Sequence, residues 1–230
     1  MRGRVPSRVF AAQLAGCSAL LVIGLASVAS GAAGVSYPAP GSYTLDKIQK
    51  AGSGWVLEDN AWVPKRASSY LTGSITLFSF FYSTCNLPEG CPVAWSAFET
   101  VYADVQKDPK LQGRVRLVFL SLDPKVDTPE LLSVFAENRR ETRKIAPWHF
   151  LTTWSDAYLK PILEGMGQSI SRGVDDAGQP VINHMIKVYL IDREGSVREI
   201  YTTAFLDPQV VLNDIMTLVM EEDQLKLGGH

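Results

Sequence analysis

The chain has 230 residues, 46% of them hydrophobic and 20% charged, enough apolar material for one ordinary domain and too much for a chain disordered by composition. A net charge of −2 excludes a nucleic-acid binder that works through a basic face. Three cysteines exclude both a multi-disulfide scaffold and a four-cysteine zinc module.

Residues 1–34 differ from the rest. Arg2, Arg4 and Arg8 precede residues 9–34, which carry no charge at all. A basic start, an apolar centre and small residues after it read as an export signal, with Ala29 and Ala33 as candidate cleavage points. The alternative is an uncleaved membrane anchor, since 26 uncharged residues can span a bilayer with some tilt. A third reading takes Leu14-Ala15-Gly16-Cys17 as a lipoprotein box, and the apolar sequence after Cys17 speaks against it. All three place residues 35–230 outside the cytoplasm, periplasmic or held at the cytoplasmic membrane through residues 9–34. Without the leader's three arginines the net charge moves from −2 to −5, and two cysteines remain, Cys85 and Cys91.

Residues 35–41 read as a linker, 42–225 as one domain and 226–230 as a flexible tail ending in His230. Residues 42–74 are irregular, with room for a short hairpin. Residues 75–81 are a β-rich apolar run of buried type. A loop with both cysteines follows, and Pro92 suits the first turn of a helix. Val93, Ala97, Val101 and Val105 recur at four-residue spacing and mark its apolar face. A second strand spans 115–122. Asp127-Thr128-Pro129-Glu130 starts a helix that runs to about Arg140. A strand or turn surrounds Trp148-His149-Phe150-Leu151. A short helix starts near Ser155, with Pro161 kinking it or ending its first half. Residues 185–192 form a third strand, turned into a hairpin with 197–201, and Asp207-Pro208 starts a last helix to about Glu221. The order fits a single α/β domain, a central sheet with helices on both faces.

Cys85 and Cys91 lie just past a buried strand and at a helix start. A helix N-terminus stabilises a thiolate, the form that attacks disulfides and binds soft metals, whereas Glu89 nearby works against it. Cys91 suits the cap position. The five residues between the cysteines can loop back, so the sulfurs can meet as a disulfide or at one metal ion. The plain alternative is a stabilising disulfide, worth about 2–3 kcal/mol for so short a loop.

His149, between Trp148 and Phe150, reads as a core or rim position. His184 stands at the start of the third strand. If that strand lies beside the first, His184 faces the cysteine loop, at the strand ends where α/β sites collect. Two thiolates and one imidazole make a soft three-coordinate set that favours Cu(I). Zinc would want a fourth ligand or a water. Met185 could add a thioether, but core packing is its simpler role.

These residues resemble the Sco/SenC family of thioredoxin-fold copper proteins. The resemblance rests on Phe80-Phe81-Tyr82-Ser83-Thr84-Cys85 followed by Cys91-Pro92, and on 119–130 with its Ser121-Leu122-Asp123-Pro124 and Asp127-Thr128-Pro129-Glu130. It rests also on His184 leading into 188–195, and on the apolar leader before an exported body. It covers most of 70–220. One departure matters: five residues separate the cysteines, where the family pattern has three.

The resemblance implies a thioredoxin-like fold, with Cys85, Cys91 and His184 as ligands of Cu(I), Cu(II) or both. It implies a copper chaperone serving cytochrome c oxidase, whose copper subunit or another cuproprotein is the partner. The alternative is a thiol-disulfide oxidoreductase in which Cys85 and Cys91 are the redox pair. Asp123 is expected to act at most as a loop-fixing group.

Overall fold

The computed structural model describes residues 36–85 and 91–228. The long apolar runs become the middle of a sheet, because side chains buried on both faces leave no polar position to alternate with. In chain order the elements are β1 (Gln49–Lys50), β2 (Trp55–Glu58), β3 (Lys65–Arg66), α1 (Ser68–Leu71), β4 (Ile75–Phe81), α2 (Cys91–Lys107) and β5 (Val115–Ser121). They continue with α3 (Pro129–Ala136), β6 (Trp148–Thr152), α4 (Asp156–Gly165), β7 (Ile170–Val174), β8 (Pro180–His184), β9 (Lys187–Ile191), β10 (Ser196–Thr202) and α5 (Pro208–Gly228).

Eight strands form one mixed sheet in the order β1-β10-β9-β4-β5-β6-β2-β3. β4, β5 and β6 are parallel, and β9 pairs antiparallel with β4, so Val188 lies opposite Ser79. The third predicted strand therefore does lie beside the first. α2, α3 and α5 cover one face, around Phe98, Phe119 and Trp148. α1 and α4 cover the other, around Phe78, Tyr189 and Ile162. The thioredoxin-like core with flanking helices is as the sequence implies.

Local chemistry sets several boundaries. The Thr128 hydroxyl accepts a hydrogen bond from the Leu131 N–H at 3.4 Å, and Pro129 opens α3 behind that cap. α3 ends at Ala136, before the predicted stop, and one tighter turn, Glu137–Arg139, completes it. Pro161 does not end α4, which continues to Gly165. α5 passes the predicted stop at Glu221 and reaches Gly228, taking in the first part of the expected tail.

The expected linker and the residues just after it are tied to α5 and to the residue before it. The Tyr37 hydroxyl donates to Asp207 at 2.5 Å, the Gly41 N–H to Thr217 at 3.0 Å and the Tyr43 hydroxyl to Asp214 at 2.6 Å. The leader lies outside the described residues. Among those, no helix is long and apolar enough to cross a membrane.

The largest departure concerns His184. It does not open the third strand. It ends β8, which pairs only with β7 in a separate two-stranded sheet, with Ile170 opposite His184 and Arg172 opposite Ile182. The third strand starts at Lys187, and Met185 between them is 62% exposed rather than in the core.

Candidate functional site

The C-terminal ends of β4 and β5, the start of β9 and the end of β8 converge at one end of the sheet. The chain leaves β4 at Phe81, passes Tyr82 and Ser83, and reaches Cys85 in a tight turn, where the Cys85 N–H donates to the Tyr82 carbonyl at 3.2 Å. Cys91 opens α2. Both cysteines are thiols and both are half-buried. They line a cavity of about 320 Å³ walled by Phe81, Pro92, Trp95 and Phe135, apolar but for Ser83, Ser96 and the Tyr82 hydroxyl.

The electrostatics reverse one expectation. The helix N-terminus is expected to lower a thiol pKa here, yet the Cys91 thiol is pushed far above the ordinary cysteine range. The hydrogen bond it shares with Cys85 is the first cause and burial the second. Backbone N–H groups pull the other way and lose. The two sulfurs thus form a hydrogen-bonded pair whose burial disfavours a thiolate on Cys91.

Tyr82, which the sequence reading passed over, connects the two halves of the site. It is 3% exposed and its hydroxyl is hydrogen-bonded with Cys85. Burial first, and that bond second, push its pKa up to about 12. Its ring meets the His184 ring edge-on, with centroids 6.0 Å apart.

His184 is held for a particular tautomer. Its Nδ1 lies 3.0 Å from the Ile182 carbonyl, which can only accept, so Nδ1 carries the proton and donates. Nε2 is buried and has no hydrogen-bond partner among the described residues. A metal-ligating histidine is oriented in this way, one nitrogen fixed by a carbonyl and the other open. Among the described residues, however, no group of three or more His, Cys, Asp or Glu is gathered closely enough to hold a metal ion. A cavity of about 380 Å³, bordered by Tyr82 and Thr84 on one side and Gln179, Pro180 and Val181 on the other, separates the cysteine turn from the start of β8.

The loop-fixing role expected of Asp123 belongs to Asp127. Its carboxylate is fully buried and accepts from the Ser83 N–H at 3.2 Å, from the Ser83 hydroxyl and from the Ser121 hydroxyl at 2.5 Å. Burial raises its pKa, and the serine hydrogen bonds oppose that rise. Asp123 sits 3.7 Å from the Arg172 guanidinium instead. His149 is at the rim as expected, its Nδ1 2.8 Å from Glu58.

The fold and site thus define a thioredoxin-like domain with two thiols where a central strand meets its helix. The SCO1/SenC family profile matches residues 57–220. The chain belongs to that family, with an atypical five-residue spacing between Cys85 and Cys91. A SCO2-like protein of Rickettsia typhi is 26% identical over 130 residues, 56% of this chain and 59% of that protein. The chain thus spans about three fifths of that relative's length. The SCO1 protein homolog of Bacillus subtilis is 27% identical over 157 residues, 68% of this chain and 75% of that protein. In fold, the chain is similar to Arabidopsis thaliana ScoI with copper bound, with a TM-score of 0.62 and 16% identity over 74% of this chain and 98% of the other. It is also similar to apo Sco1 of Thermus thermophilus, with a TM-score of 0.60 and 21% identity over 80% of this chain and 99% of the other.

Proposed function

We propose that this chain is an exported copper carrier that holds copper through Cys85, Cys91 and His184. It passes the ion to a cuproprotein such as the copper subunit of cytochrome c oxidase. The observation that carries this reading is the His184 imidazole, with Nδ1 tied to the Ile182 carbonyl and Nε2 buried without a partner among the described residues, at the same end of the sheet as two thiols. Leaving such a nitrogen bare costs free energy that a ligand would recover. Family membership and the copper-bound relative of the same fold support the choice of metal.

Loading would draw the end of β8, with His184, and the cysteine turn together. Transfer would be ligand exchange, in which incoming thiolates of the target displace Cys85 and Cys91 one at a time. Release of the thiol protons accompanies loading, so copper affinity rises with pH. The leader would deliver the domain across the membrane, cleaved or retained as an anchor.

A second reading is favoured by the sulfur pair itself. Two hydrogen-bonded thiols beside an open apolar cavity can reduce a disulfide. One Cys sulfur attacks a target sulfur to form a mixed disulfide and expels the other target thiolate. The second Cys then resolves it, leaving a Cys85–Cys91 disulfide and a target reduced by two electrons. This activity needs no His184.

An anaerobic titration of the reduced chain with Cu(I), against a competing chelator, separates the two. One-to-one binding that disappears in Cys85→Ser and in Cys91→Ser supports the carrier. Absence of binding, with a Cys85–Cys91 disulfide that forms and reduces readily, would replace the carrier by the reductant.

A further inference from the structure

The segment 121–127 is the most distinctive stretch of the sequence, and neither reading uses it. It contains no thiol and no histidine. Yet it touches both halves of the site. On the cysteine side, Asp127 receives the Ser83 N–H and hydroxyl two residues before Cys85 and the Ser121 hydroxyl at the end of β5. The Leu122 N–H also donates to the Phe81 carbonyl at 2.8 Å, so the exit of β4 is held by backbone as well. On the histidine side, Arg172 of β7 reaches the same segment. Its guanidinium donates to the Leu122 carbonyl at 3.0 Å, lies 3.7 Å from Asp123 and pairs with Asp156 at 2.6 Å.

This second tie matters because the β7–β8 hairpin has no strand of the main sheet beside it. Its apolar hold on the domain comes from Ile182 and Ile170. Arg172 stands opposite Ile182, and Ile170 stands opposite His184, so the guanidinium fixes the hairpin within two residues of the imidazole's own pair. The segment itself is stiff: the Asp127 and Val126 N–H groups both donate to the Asp123 carbonyl, at 2.8 and 3.1 Å.

We propose that segment 121–127 is the positioning element of the site. It sets where Cys85 stands through Asp127 and where His184 stands through Arg172. For the histidine half this rests on the carrier reading; the cysteine half holds for either reading. Asp127 and Arg172 touch neither sulfur nor metal in this role, and act through Ser83 and through the hairpin.

The test uses the full chain and two shape-preserving variants, Asp127→Asn and Arg172→Met, each read for urea stability, for the Cys85–Cys91 disulfide equilibrium against glutathione, and for the His184 ring nitrogen signals by NMR. Asp127→Asn should move the equilibrium constant by about fivefold or more, the effect of one hydrogen bond that differs in strength between the two redox states. Arg172→Met should leave that constant unchanged and shift or broaden the His184 ring signals. Should Asp127→Asn fail to fold, Ser83→Ala removes the hydroxyl contact alone and is read in the same equilibrium. Loss of stability with a wild-type equilibrium constant and wild-type ring signals would overturn the proposal, leaving the segment a purely structural turn. If the wild-type chain takes up no Cu(I) while Asp127→Asn still moves the equilibrium, the carrier reading falls and the cysteine half of this one stands.

Discussion

His184→Ala should lower the affinity of the reduced chain for Cu(I) by at least about a hundredfold, since even groups that merely support a ligand are worth ten- to a hundredfold. The substitution removes an imidazole whose Nδ1 is already committed to the Ile182 carbonyl and whose Nε2 is open. It leaves the thiol pair and the Tyr82 hydrogen bond with Cys85 in place. The disulfide equilibrium with glutathione should therefore stay close to wild type while copper binding collapses. Chelator competition measures the first quantity and gel-shift trapping of free thiols the second. Copper affinity that survives His184→Ala would remove the imidazole from the ligand set, and with it the case for this histidine as more than a hairpin residue.

The second large effect concerns stability, far from the sulfurs. Glu58 closes β2 and is only 8% exposed. Its carboxylate meets His149 at 2.8 Å, Lys65 at 2.7 Å and the Tyr70 hydroxyl at 3.0 Å, and the neighbouring Asp59 is paired with Arg143 at 2.6 Å. Burial by itself would raise the Glu58 pKa, but hydrogen bonds and charge from His149 and Lys65 outweigh it and hold the carboxyl well below its usual range. Glu58→Gln should cost about 2–4 kcal/mol, the scale for a buried group whose partners are left behind. Lys65 is half exposed, so little of that comes from its ion pair.

The pH dependence follows from the direction of the shift. A carboxylate depressed in the folded state stabilises fully above its unfolded pKa of about 4.3, and that contribution fades as pH falls toward the folded value. Asp59 and Asp127 are raised by burial and act in the opposite sense, so the wild-type curve alone mixes the terms. The difference between wild type and Glu58→Gln isolates Glu58. Urea unfolding from neutral pH downward should give a difference that is flat above the unfolded pKa and shrinks below it. A difference near zero throughout would mean that the β2 end is held by packing alone.

Much of this architecture was legible because it is written in periodicity. Residues 75–81 and 115–122 are apolar without alternation, which only a strand buried on both faces explains, and they became neighbours β4 and β5. The four-residue spacing from Val93 to Val105 located α2, and Cys91 fell at its start and Cys85 just past β4, as expected. The β7–β8 hairpin was not legible. Four of the five β7 residues are exposed, so no apolar pattern marks that strand, and His184 was read as the entry to the strand that is β9. Tyr82 was missed because an aromatic at the end of an apolar run reads as core; only the fold shows its hydroxyl at Cys85. The Glu58–His149 pair joins residues 91 apart in sequence, and no local spacing announces it.

Trp95 adds a consequence of a different kind. It is the only tryptophan on the wall of the cysteine cavity, and its ring lies 5.5 Å from Trp148 and 5.3 Å from Phe119, so it is held at a fixed place beside the sulfurs. An excited indole gives up an electron to a nearby disulfide readily and to a thiol much less so. Trp95 emission should therefore dim when Cys85 and Cys91 are joined and recover when they part, an optical gauge of the pair that a fluorescence titration with an oxidant would read with no label attached.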